Sequence, residues 1–342
     1  MANNKYLQWL SRTNGVWWHD SAIDGEVEDA LCNGAVGITT NPVLISQALQ
    51  AKKALLEAHR EEIASAKDSD ARAEKIIEVI TVDLAKRFLP IYEQTDGKNG
   101  YVCAQVNPKY PGDAEYMLEN ALRLAAWAPN VSVKLPVTAA GLRAIEGCVA
   151  RGVNVTGTVS FTVSQALAVE DAYQRGIGRA RAGGRVPQLC NAVIMVGRLD
   201  DYLRDVAHDG QAGVGESSLI WAGTAAMKRA YDLFGQKNTA VKLMPAGMRG
   251  AYHAAELAGA DIRFSIHPKI QGLILQESPD TREKIAGEIP RKAIGELMSM
   301  GEFVKAYEPD GMRPEEFIAY GVTQKTLAQF ADAWNVIESF VL

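Results

Sequence analysis

The chain has 342 residues, 47% of them hydrophobic, and a formal net charge of −5 with acidic and basic residues mixed throughout. That length allows one large barrel or two ordinary domains with a sizeable core. The charge balance leaves no basic face for nucleic acid and no polybasic segment for a membrane surface, and no apolar run approaches transmembrane length. The N-terminal Met1-Ala-Asn-Asn-Lys5 has no apolar signal core. Cys32, Cys103, Cys148 and Cys190 are widely spaced, and the five histidines lack His-x-x-x-His spacing, so neither a disulfide frame nor a metal centre is indicated. The expectation is a reducing, cytoplasmic, soluble protein without a metal or other cofactor.

In chain order, residues 4–12 read as a short amphipathic helix and Val16-Trp17-Trp18-His19-Asp20 as a strand ending in an acid. A helix around 25–32 follows, then a strand from Ala35 that runs into Asn41-Pro42, a pair that interrupts regular structure. Residues 43–94 are helix-rich with a break near Asp68-Ser-Asp70, and Tyr101–Val106 is a third strand. A helix over about 113–127 precedes a fourth strand, which opens the stretch Val131-Ser-Val-Lys-Leu-Pro-Val-Thr-Ala-Ala-Gly141. Helix 141–150, strand 153–159 and helix 163–176 come next, followed by a Gly/Arg linker over 178–186. Strand 191–196 leads into a glycine-rich loop over 205–217. Then come helix 217–234, strand 240–244, helix 248–258 and strand 262–266. Strands and helices alternating in this way favour a parallel sheet, and eight such units favour an α/β fold of the (β/α)8 TIM-barrel type. The barrel is expected over residues 1–275, with a C-terminal helical extension over 276–342 packed on it. Leu327, Phe330, Trp334 and Ile337 give its last helix one apolar stripe.

Lys134 lies between Val133 and Leu135 in the fourth strand. It is either a surface charge on an edge strand or a deliberately buried amine, because lysine is seldom buried without a use. Burial disfavours an ammonium, and a neutral amine can form a Schiff base with a carbonyl. In barrels of this type the site occupies the C-terminal strand ends. The polar residues expected there are Asp20, Thr40, Asn41, Gln105, Asn107, Thr156, Thr158, Arg198, Asp200, Arg249 and His267. Simple alternatives stand beside each role. Asn41 could be a turn residue, Asp20 a helix cap and the two threonines ordinary strand residues. A second Val-Lys-Leu, at Lys242, competes with Lys134 on local context. The loop Asp209–Gly215 is a candidate lid, but it lacks the Gly-Lys-Ser/Thr ending of a P-loop.

Gly37-Ile-Thr-Thr-Asn-Pro-Val-Leu-Ile45 and Val133-Lys-Leu-Pro-Val-Thr-Ala-Ala-Gly141 resemble, in the right order, the two signatures of the transaldolase family. Val196-Gly-Arg-Leu-Asp200 and Met244-Pro-Ala-Gly-Met-Arg249 add weaker matches, and the resemblance covers roughly residues 15–270. It implies a class I aldolase mechanism without metal or cofactor, acting on a small sugar or sugar phosphate. Lys134 would carry the Schiff base and Asp20 would exchange protons. Asn41 would hold a donor hydroxyl, Thr158 would position a water, and Arg198 and Arg249 would grip phosphate, with Thr40 and Thr156 as further substrate contacts.

The match is incomplete. Gln105 stands where transaldolases carry a glutamate, and a glutamine orients water but accepts no proton. Gln105 and the Gly157-Thr158 pair are similar to the fructose-6-phosphate aldolase branch, yet Met195 occupies the position of that branch's acid/base tyrosine. Thr156 replaces an asparagine and Gly247 a serine of the phosphate site. The resulting expectation is transfer of a dihydroxyacetone unit in carbohydrate metabolism. A lyase releasing a free ketone and a non-catalytic barrel are the alternatives. His267 is a secondary candidate for proton exchange. A homo-oligomer is compatible with the sequence, which does not fix subunit number.

Overall fold

A computed structural model describes residues 4–237 and 239–342; the first three residues of the N-terminal stretch lie outside this range. Eight short strands run Val16–His19 (β1), Gly37–Ile38 (β2), Tyr101–Gln105 (β3), Val131–Pro136 (β4), Val155–Thr158 (β5), Cys190–Ile194 (β6), Lys242–Pro245 (β7) and Arg263–Ile266 (β8). Each pairing is parallel, in the order β7-β6-β5-β4-β3-β2-β1-β8. β7 packs beside β8, so the sheet curls into a nearly closed barrel with helices between successive strands. This is the (β/α)8 architecture expected from the alternation. Strands covered on both faces need no polar alternation, and every residue of β3, β4 and β6 is buried.

The barrel interior is bridged by polar side chains beneath the site. Arg263 Nη1 donates to Asn191 Oδ1 at 2.9 Å, and Asn191 Nδ2 donates to Thr156 Oγ1 at 3.1 Å. Thr156 Oγ1 lies 2.9 Å from Ser132 Oγ. This chain ties β8, β6, β5 and β4 together across the interior.

Several boundaries differ from the sequence reading, each for a local reason. The break at residues 68–70 is the start of a 26-residue helix, Ser69–Gln94, capped by Asp68, whose carboxylate accepts from Ala71 N at 2.7 Å. The expected linker at 178–186 is largely helical, since the helix Val163–Ala182 continues through it. Glu146 holds that extension by pairing with Arg175 at 2.7 Å and Arg179 at 2.5 Å. β6 stops at Ile194, and a helix fills Val196–Asp209, leaving only 210–215 as loop.

Beyond β8 come the helices Pro268–Glu277, Arg291–Leu297, Gly301–Tyr307, Pro314–Phe317 and Gly321–Ser339. Leu327, Phe330, Trp334 and Ile337 of the last are buried. That helix lies against Pro42–Ala48, Ser69–Gln94 and Val196–Asp209. Trp334 Nε1 donates to Asp70 at 2.9 Å, and Lys109 pairs with Glu338 at 2.7 Å. Among the described residues, no helix is long and apolar enough to cross a membrane.

His19, at the end of β1, is wholly buried. Its Nδ1 receives Gln271 Nε2 at 2.9 Å, while Nε2 has no partner. Burial, with a smaller push from His267, lowers its pKa to about 3. The unfolded chain therefore takes up this proton first as pH falls. The stability His19 contributes is complete above about pH 6.5 and declines toward its folded pKa, by about 1.4 kcal/mol per pH unit. Urea unfolding between pH 7 and pH 4 should show a shallower pH dependence for His19→Asn than for the wild type. Equal slopes would refute this account.

Candidate active site

The two motif stretches fold as they do for reasons visible in the coordinates. In β4, Pro136 ends the strand and Thr138 caps the next helix, its Oγ1 accepting from Gly141 N at 3.0 Å and donating to Pro111 O at 2.6 Å. A Cβ at residue 141 would lie 1.8 Å from the Pro136 carbonyl oxygen, so only glycine lets the helix start so close to the strand. In the other motif, Asn41 caps the helix Pro42–Ala48, its Oδ1 accepting from Val43 N at 2.9 Å and Leu44 N at 3.1 Å. Capping thus occupies the oxygen of Asn41 and leaves Nδ2 as the group to meet a ligand.

A cleft of about 330 Å³ opens at the C-terminal strand ends. Asp20, Asn41, Lys134, Thr158, Arg198, Arg249 and His267 line it together, with Met195 and Gly247. Lys134 is only 6% exposed, and its Nζ donates to the backbone carbonyl of Thr40 at 3.0 Å. Among the described residues no carboxylate lies within ion-pair distance of it. Lys242, the competing lysine, opens β7, pairs with Asp261 at 2.5 Å and is not part of the cleft lining.

Asp20 caps no helix; the following one, Asp24–Cys32, is capped at Ile23 without a side-chain bond. Its Oδ1 accepts from Thr39 Oγ1 at 2.6 Å, and that hydroxyl is 2.7 Å from Ser265 Oγ. Thr39 and Ser265 therefore belong to the cleft, although the sequence reading passed over both. The Thr39 signal was present in the doubled threonine of the motif, where only one of two neighbours can face the interior.

Five other candidates, Thr40, Thr156, Asn107, Asp200 and Gln105, lie outside the lining. Thr40 points its hydroxyl at the Cys103 carbonyl, 2.7 Å away, and meets the lysine only through its backbone. Thr156 is engaged with Ser132 and Asn191 in the interior below. Asn107 bonds Asp70 at 2.9 Å. Asp200 is wholly buried, taking Gly223 N at 2.8 Å and Tyr252 Oη at 3.1 Å, and lies 3.0 Å from His253 Nε2. Gln105 is paired in register with Lys134 and buried, and its Oε1 has no partner among the described residues. The loop 209–215 contributes nothing to the lining. It sits at the far end of the helix Val196–Asp209, about 20 Å along from its first residue.

Two arginines form one end of the cleft. Burial, then the proximity of Arg249, lowers the pKa of Arg198. Arg249 Nε donates to Asp201 at 2.7 Å, and its Nη1 donates to the Gly247 carbonyl at 2.8 Å. Gly247 holds φ +60°, a conformation that a serine would adopt only with strain. Met195 is 7% exposed and offers no proton. His267 caps the helix Pro268–Glu277, its Nδ1 accepting from Lys269 N at 3.1 Å, so a neutral ring carries its proton on Nε2.

The floor beside Thr158 is strained. Val159, a β-branched residue, has φ +52°, which costs on the order of 1–3 kcal/mol. The wholly buried Gln165 holds the turn: its Oε1 accepts from Phe161 N at 2.8 Å, and its Nε2 donates to Val137 O at 3.1 Å and Val159 O at 3.4 Å.

The arrangement joins a buried amine, a carboxylate, hydroxyl groups and a pair of arginines around one cavity. The family model described as Transaldolase/Fructose-6-phosphate aldolase matches residues 17–341. The transaldolase of Thiobacillus denitrificans is 28% identical over 340 residues, covering 94% of this chain and 90% of that protein. Transaldolases of Mycolicibacterium paratuberculosis and Mycobacterium tuberculosis are 31% and 30% identical over 251 and 249 residues, in each case 65% of this chain and 65% of the relative. With a match of that extent, the chain belongs to the transaldolase/fructose-6-phosphate aldolase family.

Proposed function

We propose that the protein is a transaldolase that moves a dihydroxyacetone unit from a ketose phosphate to an aldose acceptor through a Schiff base on Lys134. The observation that carries this reading is the buried Lys134 amine, which lines the cleft with no carboxylate partner among the described residues. The amine adds to the donor C2 carbonyl, and loss of water gives an iminium. Asp20 takes the proton of the C4 hydroxyl as the C3–C4 bond breaks. The bonding pair passes into the iminium, leaving an enamine on the lysine, and the C4 end departs as an aldehyde. The enamine then attacks the acceptor aldehyde carbon, Asp20 returns a proton to the new hydroxyl, and water hydrolyses the iminium to free Lys134. Thr39 and Ser265 support Asp20 through their hydroxyl chain. Asn41 Nδ2 is available to a donor hydroxyl, and Arg198 and Arg249 suit a phosphate oxyanion. Thr158, which lines the cleft, suits a bound water, and the buried Gln105 Oε1, just outside the lining and without a partner among the described residues, is the second group proposed to orient it. Free cysteines support a reducing, cytoplasmic setting for this chemistry.

Borohydride reduction in the presence of fructose 6-phosphate should fix a mass adduct on the peptide carrying Lys134, and Lys134→Met should abolish both adduct and turnover. An adduct on another lysine, or turnover in that variant, would defeat the proposal. Asp20→Asn should lower kcat by about 10²–10⁴-fold while leaving the Lys134 adduct trappable. A kcat within a factor of two of the wild type would remove Asp20 from proton transfer.

One observation favours a second reading, a lyase that releases free dihydroxyacetone. Gln105 cannot take a proton from the water it orients, as a glutamate could. Comparing ketone release with and without an acceptor aldose separates the two. On the transaldolase reading, little free ketone appears with or without acceptor, donor cleavage quickens when acceptor is added, and Gln105→Glu raises kcat for transfer by up to about tenfold. Sustained release of free ketone in the absence of acceptor would favour the lyase.

A further inference from the structure

The last helix, Gly321–Ser339, does not line the cleft but meets one of its arginines, Arg198, through three side chains. Arg198 Nη1 donates to Gln329 Oε1 at 2.5 Å and lies 3.4 Å from Thr326 Oγ1, while its Cζ sits 5.7 Å from the centroid of the Phe330 ring. Thr326, Gln329 and Phe330 share one helix face by their i, i+3, i+4 spacing. Thr326 and Phe330 are buried beneath the guanidinium, and Gln329 closes the contact from the rim. All three partners are uncharged. The neighbouring Arg249, by contrast, is tied to the carboxylate of Asp201 at 2.7 Å. Of the two arginines in the cleft, one is therefore partly neutralised and the other is oriented with its charge intact.

We propose that Gln329 is a positioning residue for the anionic end of the substrate. Its amide oxygen holds the Arg198 fork toward the cleft without cancelling the charge that the fork presents. The C-terminal helix thus takes part in phosphate selection as well as in packing. The inference rests on the phosphate-gripping role proposed above for Arg198. It requires an oxygen acceptor at position 329 and also requires that acceptor to be neutral, so near-isosteric variants separate it from a purely structural role.

The test uses the full chain and inorganic phosphate as the probe, with affinity read by calorimetry and by competitive inhibition of fructose 6-phosphate turnover. Gln329→Ala should weaken phosphate binding about threefold, the loss of one orienting hydrogen bond from the guanidinium to a neutral acceptor. Gln329→Glu, which keeps the shape but pairs a carboxylate with the guanidinium, should weaken it more, by about tenfold. Both variants should raise KM for the phosphorylated ketose with kcat changed less than twofold. Phosphate binding in Gln329→Glu equal to or tighter than wild type would overturn the role of Gln329 while leaving the Arg198 site in place. Wild-type protein that binds no phosphate, yet still forms the Lys134 adduct, would overturn both the anion site and this inference and leave the Schiff-base reading standing.

Discussion

The cleft of this barrel is arranged around one amine withdrawn from water. Three other lysines show what structural burial or pairing looks like here. Lys52, just 2% exposed, lies between Asp24 and Asp83, the latter at 2.7 Å. Lys228 donates to the carbonyls of Lys284 and Gly287 at 2.8 and 2.7 Å, with Glu256 at 4.0 Å. Lys242 pairs with Asp261. Buried charges in proteins are ordinarily paired in this way, because leaving water without a partner is costly. Lys134 has one backbone carbonyl as partner and faces an open cleft. Among the described residues no carboxylate lies within ion-pair distance of its nitrogen, so that position is better suited to the chemistry proposed above than to holding the fold.

How far this could be read beforehand depended on the scale of the feature. The alternation of strands and helices identified the barrel, because each βα unit must bury both faces of its strand. The lysine motif could be read in detail, since Pro136, Thr138 and Gly141 each do one local thing: end a strand, cap a helix, permit a close approach. Depth inside the barrel could not be read. Thr156 and Thr158 both lie on β5 two residues apart, yet only Thr158 reaches the cleft, while Thr156 joins the interior chain with Ser132 and Asn191. Alternation gives the face of a strand, whereas level along the barrel axis depends on tilt and stagger, which a single strand does not encode. The choice between Thr39 and Thr40 failed for a related reason. β2 has two residues, too few to establish a phase before the chain turns. Gln329 was invisible for another reason: an apolar stripe reports the buried face of a helix, and the contact with Arg198 forms at its margin, 131 residues away.

The cleft is held rigid from several sides by groups that do not line it. Gln165 secures the strained Val159 turn next to Thr158 with three hydrogen bonds. Strain of this kind persists only where surrounding structure over-determines it. A misplaced catalytic group is expensive in rate, so a fixed turn beside Thr158 is consistent with a demand for placement. Helix capping works toward the same end in the Asn41 motif. One amide oxygen satisfies two backbone donors, which sets the direction of the Nδ2 group of the same side chain.

The arginine end shows the same logic over a longer range. Arg198, in the first turn of the helix Val196–Asp209, and Arg249, in the loop after β7, repel one another, and the two segments need a tie to stay together. Asp200 supplies the tie. Its carboxylate receives Gly223 N and Tyr252 Oη and faces His253 Nε2 at 3.0 Å, while Arg249 N donates to His253 Nδ1 at 3.3 Å. Asp200 follows β6 and Tyr252 and His253 follow β7, so this buried group joins the two arginine-bearing segments behind the cleft. Burial, followed by the Asp200 carboxylate, pushes the Tyr252 phenol up, which keeps it a donor. A ligand phosphate would then meet two cations whose mutual repulsion has already been offset by the fold. Its binding would relieve that repulsion and need little rearrangement of the two segments, the condition under which preorganised charge is most effective.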